Sequence, residues 1–147
     1  MDAPAFGVRP SGWADLPAVT EVWTAAGSQV VPEAEVRAAL EHGPGLLLVA
    51  EAPGALVVGV VLGTFDGRRG WIHRLAVSPG HRRAGVATAL VAELEDRFRS
   101  LGAPRVNLLV LPDNAAGLAF WQRLGYLPCP DVLCTKPLDG VTPTVSG

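Results

Sequence analysis

Three observations predict a mixed α/β (α+β) fold for this chain. Two amphipathic helical stretches come first, three apolar β-rich runs joined by turn signals follow, and a strand–helix–strand unit comes after them. The expected order is β-α-α-β-β-β-α-β-α-β, a central mixed sheet with helices on both faces.

Phe6-Gly7-Val8-Arg9 is short and β-like. Asp15 is placed as a helix N-cap, because Leu16, Val19, Val22, Trp23 and Ala26 recur behind it at helical spacing. A second helix is expected from near Pro32 to His42, with Gly43 past its end. Three strands follow: Leu46 to Glu51, Ala55 to Phe65, and Gly70 to Val77, with Asp66-Gly67 as a hairpin signal. Three strands in succession with short turns make an antiparallel meander. The next helix begins near Gly85, with Val86, Leu90, Leu94, Phe98 and Leu101 as its apolar stripe. Glu93–Arg97 and Glu95–Arg99 are expected i,i+4 pairs, and Gly102 closes the helix. Arg105 to Leu111 is almost wholly apolar and is expected as a central strand. Ala115 to Leu124 reads as a helix closed by Gly125, and Val132 to Lys136 as a last strand.

The 147 residues suit one core. The expected domain covers 1–138, with a loose polar tail over 139–147. A net charge of −2 provides no global basic field for nucleic acid. Cys129 and Cys134, with three scattered histidines, make no finger-like metal set and read as free thiols in a reducing compartment. Met1-Asp2-Ala3-Pro4 has no basic region leading into an apolar stretch, so no signal peptide is expected. The apolar region Leu46 to Leu62 is broken by Glu51-Ala52-Pro53-Gly54 and reads as two strands rather than a membrane span. A soluble, cytoplasmic protein is the expectation.

The turn after the meander carries the chemistry: Ser78-Pro79-Gly80-His81-Arg82-Arg83-Ala84-Gly85-Val86-Ala87-Thr88. N–H groups at a helix start lack intrahelical partners, and the helix dipole adds partial positive charge there. Such an end is an anion site. Gly85 and Ala87 lack bulk, and Arg82 and Arg83 can add charge-assisted bonds, so a pyrophosphate is the natural ligand. The plain alternative is a strand–helix turn with two solvated arginines. Neither G-x-G-x-x-G nor G-x-x-x-x-G-K-[ST] is present.

This stretch resembles the acetyl-CoA pyrophosphate loop of the GNAT superfamily of acetyltransferases, Q/R-x-x-G-x-G/A, matched by Arg82, Gly85 and Ala87. Leu75-Ala76-Val77-Ser78-Pro79 resembles the family's fourth strand and its exit. Asn114 and Ala119-Phe120-Trp121-Gln122-Arg123-Leu124-Gly125-Tyr126 resemble its last block. The resemblance covers roughly residues 5 to 137 and lies nearest short bacterial members similar to ribosomal-protein N-terminal acetyltransferases. It implies a sheet splayed between strands four and five, with the pantetheine arm of acetyl-CoA in the gap. Leu75, Ala76 and Val77 would offer backbone groups to that arm, and the Leu75 N–H would stabilise the oxyanion. Arg82, Arg83, Ala84, Gly85, Val86, Ala87 and Thr88 would hold the pyrophosphate. Asn114 would contact the pantetheine and Phe120 would pack beside it. No metal is implied. Members are often dimers, so a homodimer through the C-terminal edge is carried as an expectation.

The chain departs from the pattern at the proton-transfer positions. Trp121 stands where the family places an acidic tyrosine, and Leu109 where some members place a glutamate base. His73 lies two residues before Leu75, so regular strand parity puts both on one face, and its ordinary pKa of about 6.5 suits a base. Arg74, of opposite parity, reads as a solvated or paired arginine, and Tyr126 as structural. Neither cysteine has a nucleophile's partner pattern. The implied function is direct transfer of acetyl from acetyl-CoA to a primary amine of a peptide N-terminus, a lysine or a small molecule. The acceptor groove would lie between Trp13–Glu35 and Tyr126–Leu133, and a bulky Trp121 would disfavour long acyl chains. A non-catalytic acyl-CoA sensor is the alternative. A nucleotide-binding fold of another type, answering to NAD or ATP, is a third.

Overall fold

A computed structural model describes residues 5–43 and 45–141. The chain divides into two compact units, residues 1–108 and 109–147. The first holds one sheet of β1 (Gly7–Pro10), β2 (Leu47–Ala52), β3 (Leu56–Phe65), β4 (Gly70–Val77) and β5 (Val106–Leu108), in that spatial order. β2 to β4 form the expected antiparallel meander, β1 pairs antiparallel with β2, and β5 runs parallel to β4. The crossover from β4 to β5 is α3 (Val86–Ser100).

Both faces of the sheet are covered, which is why β2 and β3 read as nearly unbroken apolar runs. On one face lie α1 (Leu16–Ala25) and α2 (Glu33–His42). Leu16, Val19, Val22 and Trp23 of α1 and Val36 and Leu40 of α2 pack against Leu47, Val49, Val60, Leu62 and Ala76. On the other face, Val86, Leu90, Leu94 and Phe98 of α3 are buried over Gly59, Gly63 and Gly70. Each buried Leu or Val stabilises by about 1.5–3 kcal/mol, so these stripes, rather than local propensity, hold the helices. The three glycines give α3 a floor without side chains.

Asp15 stands at the N-cap position of α1 but makes no side-chain cap bond. Its carboxylate turns back instead. Arg9 Nη1–H donates to Asp15 Oδ2 at 2.8 Å and Arg9 Nη2–H to Asp15 Oδ1 at 2.9 Å. Arg9 also binds Glu51 Oε2 at 2.6 Å, tying β1 to β2. A bidentate charge-assisted pair outcompetes a helix cap. The Arg9 bonds hold the Asp15 carboxyl below its ordinary pKa.

Several expectations are corrected. Leu101 lies beyond α3 and is exposed rather than part of the stripe. Glu93 accepts from Arg97 Nε–H at 3.1 Å as expected, and Arg99 donates to Asp96 at 2.7 Å. The strand expected from Arg105 to Leu111 pairs only over Val106–Leu108 and forms an edge, not the centre. Leu109 and Leu111 are exposed. Apolar composition reports strand propensity but not how many neighbours the strand will have. Val132 to Lys136 has no regular structure, and Val132 and Leu133 are exposed. A β-prone run without a pairing partner stays irregular.

In the second unit, Asn114 caps α4 (Ala115–Arg123), its Oδ1 accepting from Gly117 N–H at 3.0 Å. Trp121 meets Phe120 and Tyr126 edge-on, with ring centroids 5.0 and 5.3 Å apart. Asp139 to Val141 are exposed, and 142–147 of the expected tail lie outside the described residues.

Candidate functional site

The first unit offers an open strand edge. β4 pairs with β5 only at Gly70–Val106, Trp71–Asn107 and Ile72–Leu108. From His73 to Val77 that side of β4 has no β5 neighbour. Hydrogen-bond parity shows which groups line it. Ser78 N–H donates to Val58 O at 2.8 Å, so Ser78 and Ala76 turn their backbone groups towards β3. Parity on the next strand pair agrees, since Gly63 N–H donates to Leu46 O at 2.8 Å. Leu75 and Val77, of opposite parity, therefore aim N–H and C=O at the open edge. Ala76 instead presents its side chain to the α1 face, buried in the core.

The chain then passes through a tight turn, Pro79–His81, into α3. Arg83 has φ +65° and Gly85 φ +80°, both left-handed. Arg83 is a non-glycine residue in that region, a conformation that costs free energy and concentrates at binding sites. At Gly85 an added Cβ would meet nothing within 4 Å, so the glycine is required by its backbone angle and the space above it is open. Gly85 is the N-cap of α3 without a side-chain cap bond, and the first helical turn holds no acid. Ala89 N–H is the first to bond back, to Gly85 O at 3.0 Å. The N–H groups of Val86, Ala87 and Thr88 precede that bond and are free of side-chain capping. Arg82, Arg83, Ala84 and Thr88 are exposed around them, and neither arginine holds a carboxylate among the described residues. The helix dipole, three uncapped N–H groups and two exposed arginines of the same loop are the ingredients of an anion site.

His73 is not where strand parity puts it. The β3–β4 register slips between Leu62 and Gly63: Leu62 faces Arg74, Gly63 faces Ile72, and His73 is the extra residue of a bulge. Its Nε2 shares a 2.6 Å hydrogen bond with Thr64 Oγ1. Thr64 flanks Gly63, which lies over α3, and so points to the α1 face. Leu75 sits opposite Val61, on the α3 face. His73 and Leu75 therefore point to opposite faces, and Arg74 shares the face of His73. Crowding by protein atoms, and then the Arg74 charge, hold the imidazole below its ordinary pKa, so it is neutral at pH 7. Arg74 holds no carboxylate among the described residues. It is half-buried, donating to His73 O at 3.0 Å and to Gln29 Oε1 at 3.3 Å. Nothing in the local sequence announces a bulge, so this cluster with Gln29 and Thr64 was not legible beforehand.

Asn114 and Phe120 belong to the second unit. Asn114 Oδ1 is occupied by its cap bond, leaving its amide N–H groups as donors. Trp121, in edge-on contact with Phe120 and Tyr126, has no titratable group, and Leu109 is an exposed aliphatic residue. Trp23 is fully buried, whereas Trp13 is exposed beneath the Arg37 guanidinium, 5.0 Å from its ring centroid. Among the described residues no group of three or more His, Cys, Asp or Glu could hold a metal ion. No helix there is long and apolar enough to cross a membrane.

Comparison with known proteins gives three kinds of match. Residues 15–126 match the model of the acetyltransferase (GNAT) family. An acetyltransferase of Sodalis glossinidius (strain morsitans) is 41% identical over 95 residues, 65% of this chain and 66% of that protein, just under two thirds of its length. The ribosomal-protein-S18-alanine N-acetyltransferase of Escherichia coli superposes with a TM-score of 0.68 at 20% identity, covering 82% of this chain and 76% of that one. An aminoglycoside antibiotic 6′-N-acetyltransferase of Acinetobacter haemolyticus gives 0.74 at 21% identity, covering 89% and 97%. At such identities the two structures speak for the fold, while the family match, running from Asp15 to Tyr126, speaks for ancestry. The chain belongs to the GNAT acetyltransferase family, a family of acyltransferases that use acetyl-CoA.

Proposed function

We propose that this chain transfers the acetyl group of acetyl-CoA directly to a primary amine. The observation that carries the reading is one continuous feature. An open β4 edge presents the backbone groups of Leu75 and Val77, and leads within a few residues into the uncapped α3 N-terminus with Arg82 and Arg83. The edge suits the amide-bearing pantetheine arm, which can pair as an added strand. The α3 end suits the pyrophosphate, held by N–H groups from Gly85 to Thr88 and by the two arginines. Leu75 N–H points to the edge and would stabilise the negative charge developing on the thioester oxygen. The family resemblance alone assigns Asn114 and Phe120 of the second unit to the arm.

The amine attacks as its neutral form, so a proton must leave it, and the departing thiolate gains one. His73, neutral and bonded to Thr64, stands two residues before Leu75 and is assigned as the base, acting through water. Direct attack needs no enzyme nucleophile. The two structural neighbours are named for different acceptors, an alanine of a ribosomal protein and an aminoglycoside, so the shared fold does not choose the amine. Trp121 and Leu109 favour a second reading, an acyl-CoA sensor without turnover. Homodimerisation and a cytoplasmic location belong to this proposal and are checked by sedimentation and by cell fractionation.

The test is release of free CoA thiol from acetyl-CoA against a panel of peptide, lysine-like, aminoglycoside and amino-acid amines. Amine-dependent release, reduced by His73→Gln, supports the enzyme. Acetyl-CoA binding without release on any amine supports the sensor instead.

A further inference from the structure

The acceptor is left open by the fold, yet the face of β4 beside the open edge carries a charge without a counter-charge. Arg9, Arg37, Arg97 and Arg99 each hold a carboxylate. Arg74 holds none among the described residues. Its donors reach only neutral oxygens, His73 O at 3.0 Å from Nη1 and Gln29 Oε1 at 3.3 Å from Nη2. Its Nε is enclosed and has no partner. A guanidinium is a fixed positive charge with five donors, and a half-buried one without an anion is destabilising.

The position matters as much as the charge. Arg74 precedes Leu75, whose N–H lines the open edge, and it lies past Ile72, where β5 pairing stops. It points to the α1 face, where the loop between α1 and α2 supplies Gln29. Nε and Nη2 share one edge of the guanidinium, the edge that donates to both oxygens of a carboxylate at once. Gln29, at 3.3 Å, satisfies only half of that edge and does so weakly. Gln29 is itself exposed on a loop and free to be displaced.

We infer that Arg74 recognises a carboxylate on the acceptor, so that the amine acetylated is that of an amino acid or a similar compound carrying both groups. The inference rests on the acetyl transfer proposed above and deepens it. A carboxylate replaces Gln29 Oε1 on Nη2 and takes the enclosed Nε–H as well. The acceptor is thereby fixed by its acid end beside the edge where its amine must react. An amine without the acid leaves the guanidinium as it is now, unpaired.

The experiment compares L-amino acids with their carboxamides, matched pairs that differ only in the acid. Wild type should favour the acids by about tenfold or more in kcat/KM, through KM, as expected for a charged hydrogen-bonded pair. Arg74→Gln should abolish that preference while leaving the amides and acetyl-CoA affinity unchanged. Gln29→Glu keeps Arg74 but fills its edge with an internal carboxylate, and should raise KM for the acids alone. Melting temperatures of both variants guard against misfolding. Amides accepted as well as acids, or an Arg74→Gln loss equal on both, would overturn the inference. Binding gives a readout independent of turnover: amino acids should raise the melting temperature of wild type and not of Arg74→Gln. No rise with any amino acid in a chain that binds acetyl-CoA overturns the inference and leaves the acetyl transfer standing. Failure of acetyl-CoA itself to bind, with amino acids still bound through Arg74, overturns the acetyl transfer and not the carboxylate site.

Discussion

Gly59→Ala adds one methyl group where β3 passes beneath the start of α3. That Cβ would lie 2.7 Å from Val86 Cγ1, 3.1 Å from Leu90 Cδ1 and 3.5 Å from Ala50 Cβ. Carbon atoms rest at about 3.5–4.0 Å, so Val86 would have to retreat by roughly 1 Å. It has nowhere to go: the residue is 2% exposed, and a β-branched residue in a helix has essentially one χ1 rotamer. Overpacking of this kind costs about 1–3 kcal/mol. The lower entropy of the unfolded alanine chain offsets roughly 0.4–1 kcal/mol of that. A net loss of about 1–2 kcal/mol should lower Tm by roughly 2–8 °C in a chain of this size. Because Val86 is the first residue of α3, the same shift should weaken acetyl-CoA binding. Thermal denaturation with and without acetyl-CoA measures both. Gly80→Ala is the control, since its Cβ would meet nothing within 4 Å. A Gly59→Ala protein melting at or above the wild-type temperature would refute the close packing of α3 on β3.

Further outcomes follow from single residues. Gly85→Ala meets no atoms, so its cost is the left-handed backbone alone, about 1–2 kcal/mol by denaturant titration. Asn114→Ala removes the cap of α4 and should cost about 1 kcal/mol, read from the same titration. Two groups set the pH dependence. His73 has a lowered folded pKa, so the unfolded chain binds its proton first; this contribution is complete above about pH 6.5 and declines as pH falls through the folded value. His73→Gln should flatten stability against pH just below 6.5. Asp15, also lowered, contributes above about pH 3.9 and loses its part as pH falls further, so Arg9→Met should move acid unfolding to higher pH.

Periodicity made the sheet legible wherever one strand needed another nearby in sequence. The meander from Leu47 to Val77 and the stripe from Val86 to Phe98 are local patterns, and they stand where the residues placed them. Val132 to Lys136 carried the same β propensity without a partner, and propensity alone did not make a strand. The α3 loop was legible because glycine at φ +80° and clustered arginines leave a mark in sequence. The face chosen by His73 was not, because a one-residue bulge reverses parity and depends on how β3 and β4 align. The partner of Arg74 was not legible either, since which group an arginine finds is decided by distant elements such as the loop bearing Gln29.

The measurement closest to the central claim is a calorimetric titration of acetyl-CoA into wild type, Arg82→Ala and Gly85→Glu, with NAD and ATP as competitors. Circular dichroism confirms that each variant is folded. The account predicts saturable binding to wild type, at least about tenfold weaker binding to Arg82→Ala, and none to Gly85→Glu, whose side chain enters the space kept for phosphate. NAD and ATP should not displace it. No binding to wild type, or binding that Gly85→Glu leaves intact, would contradict the account: the α3 N-terminus would then not be the cofactor's seat.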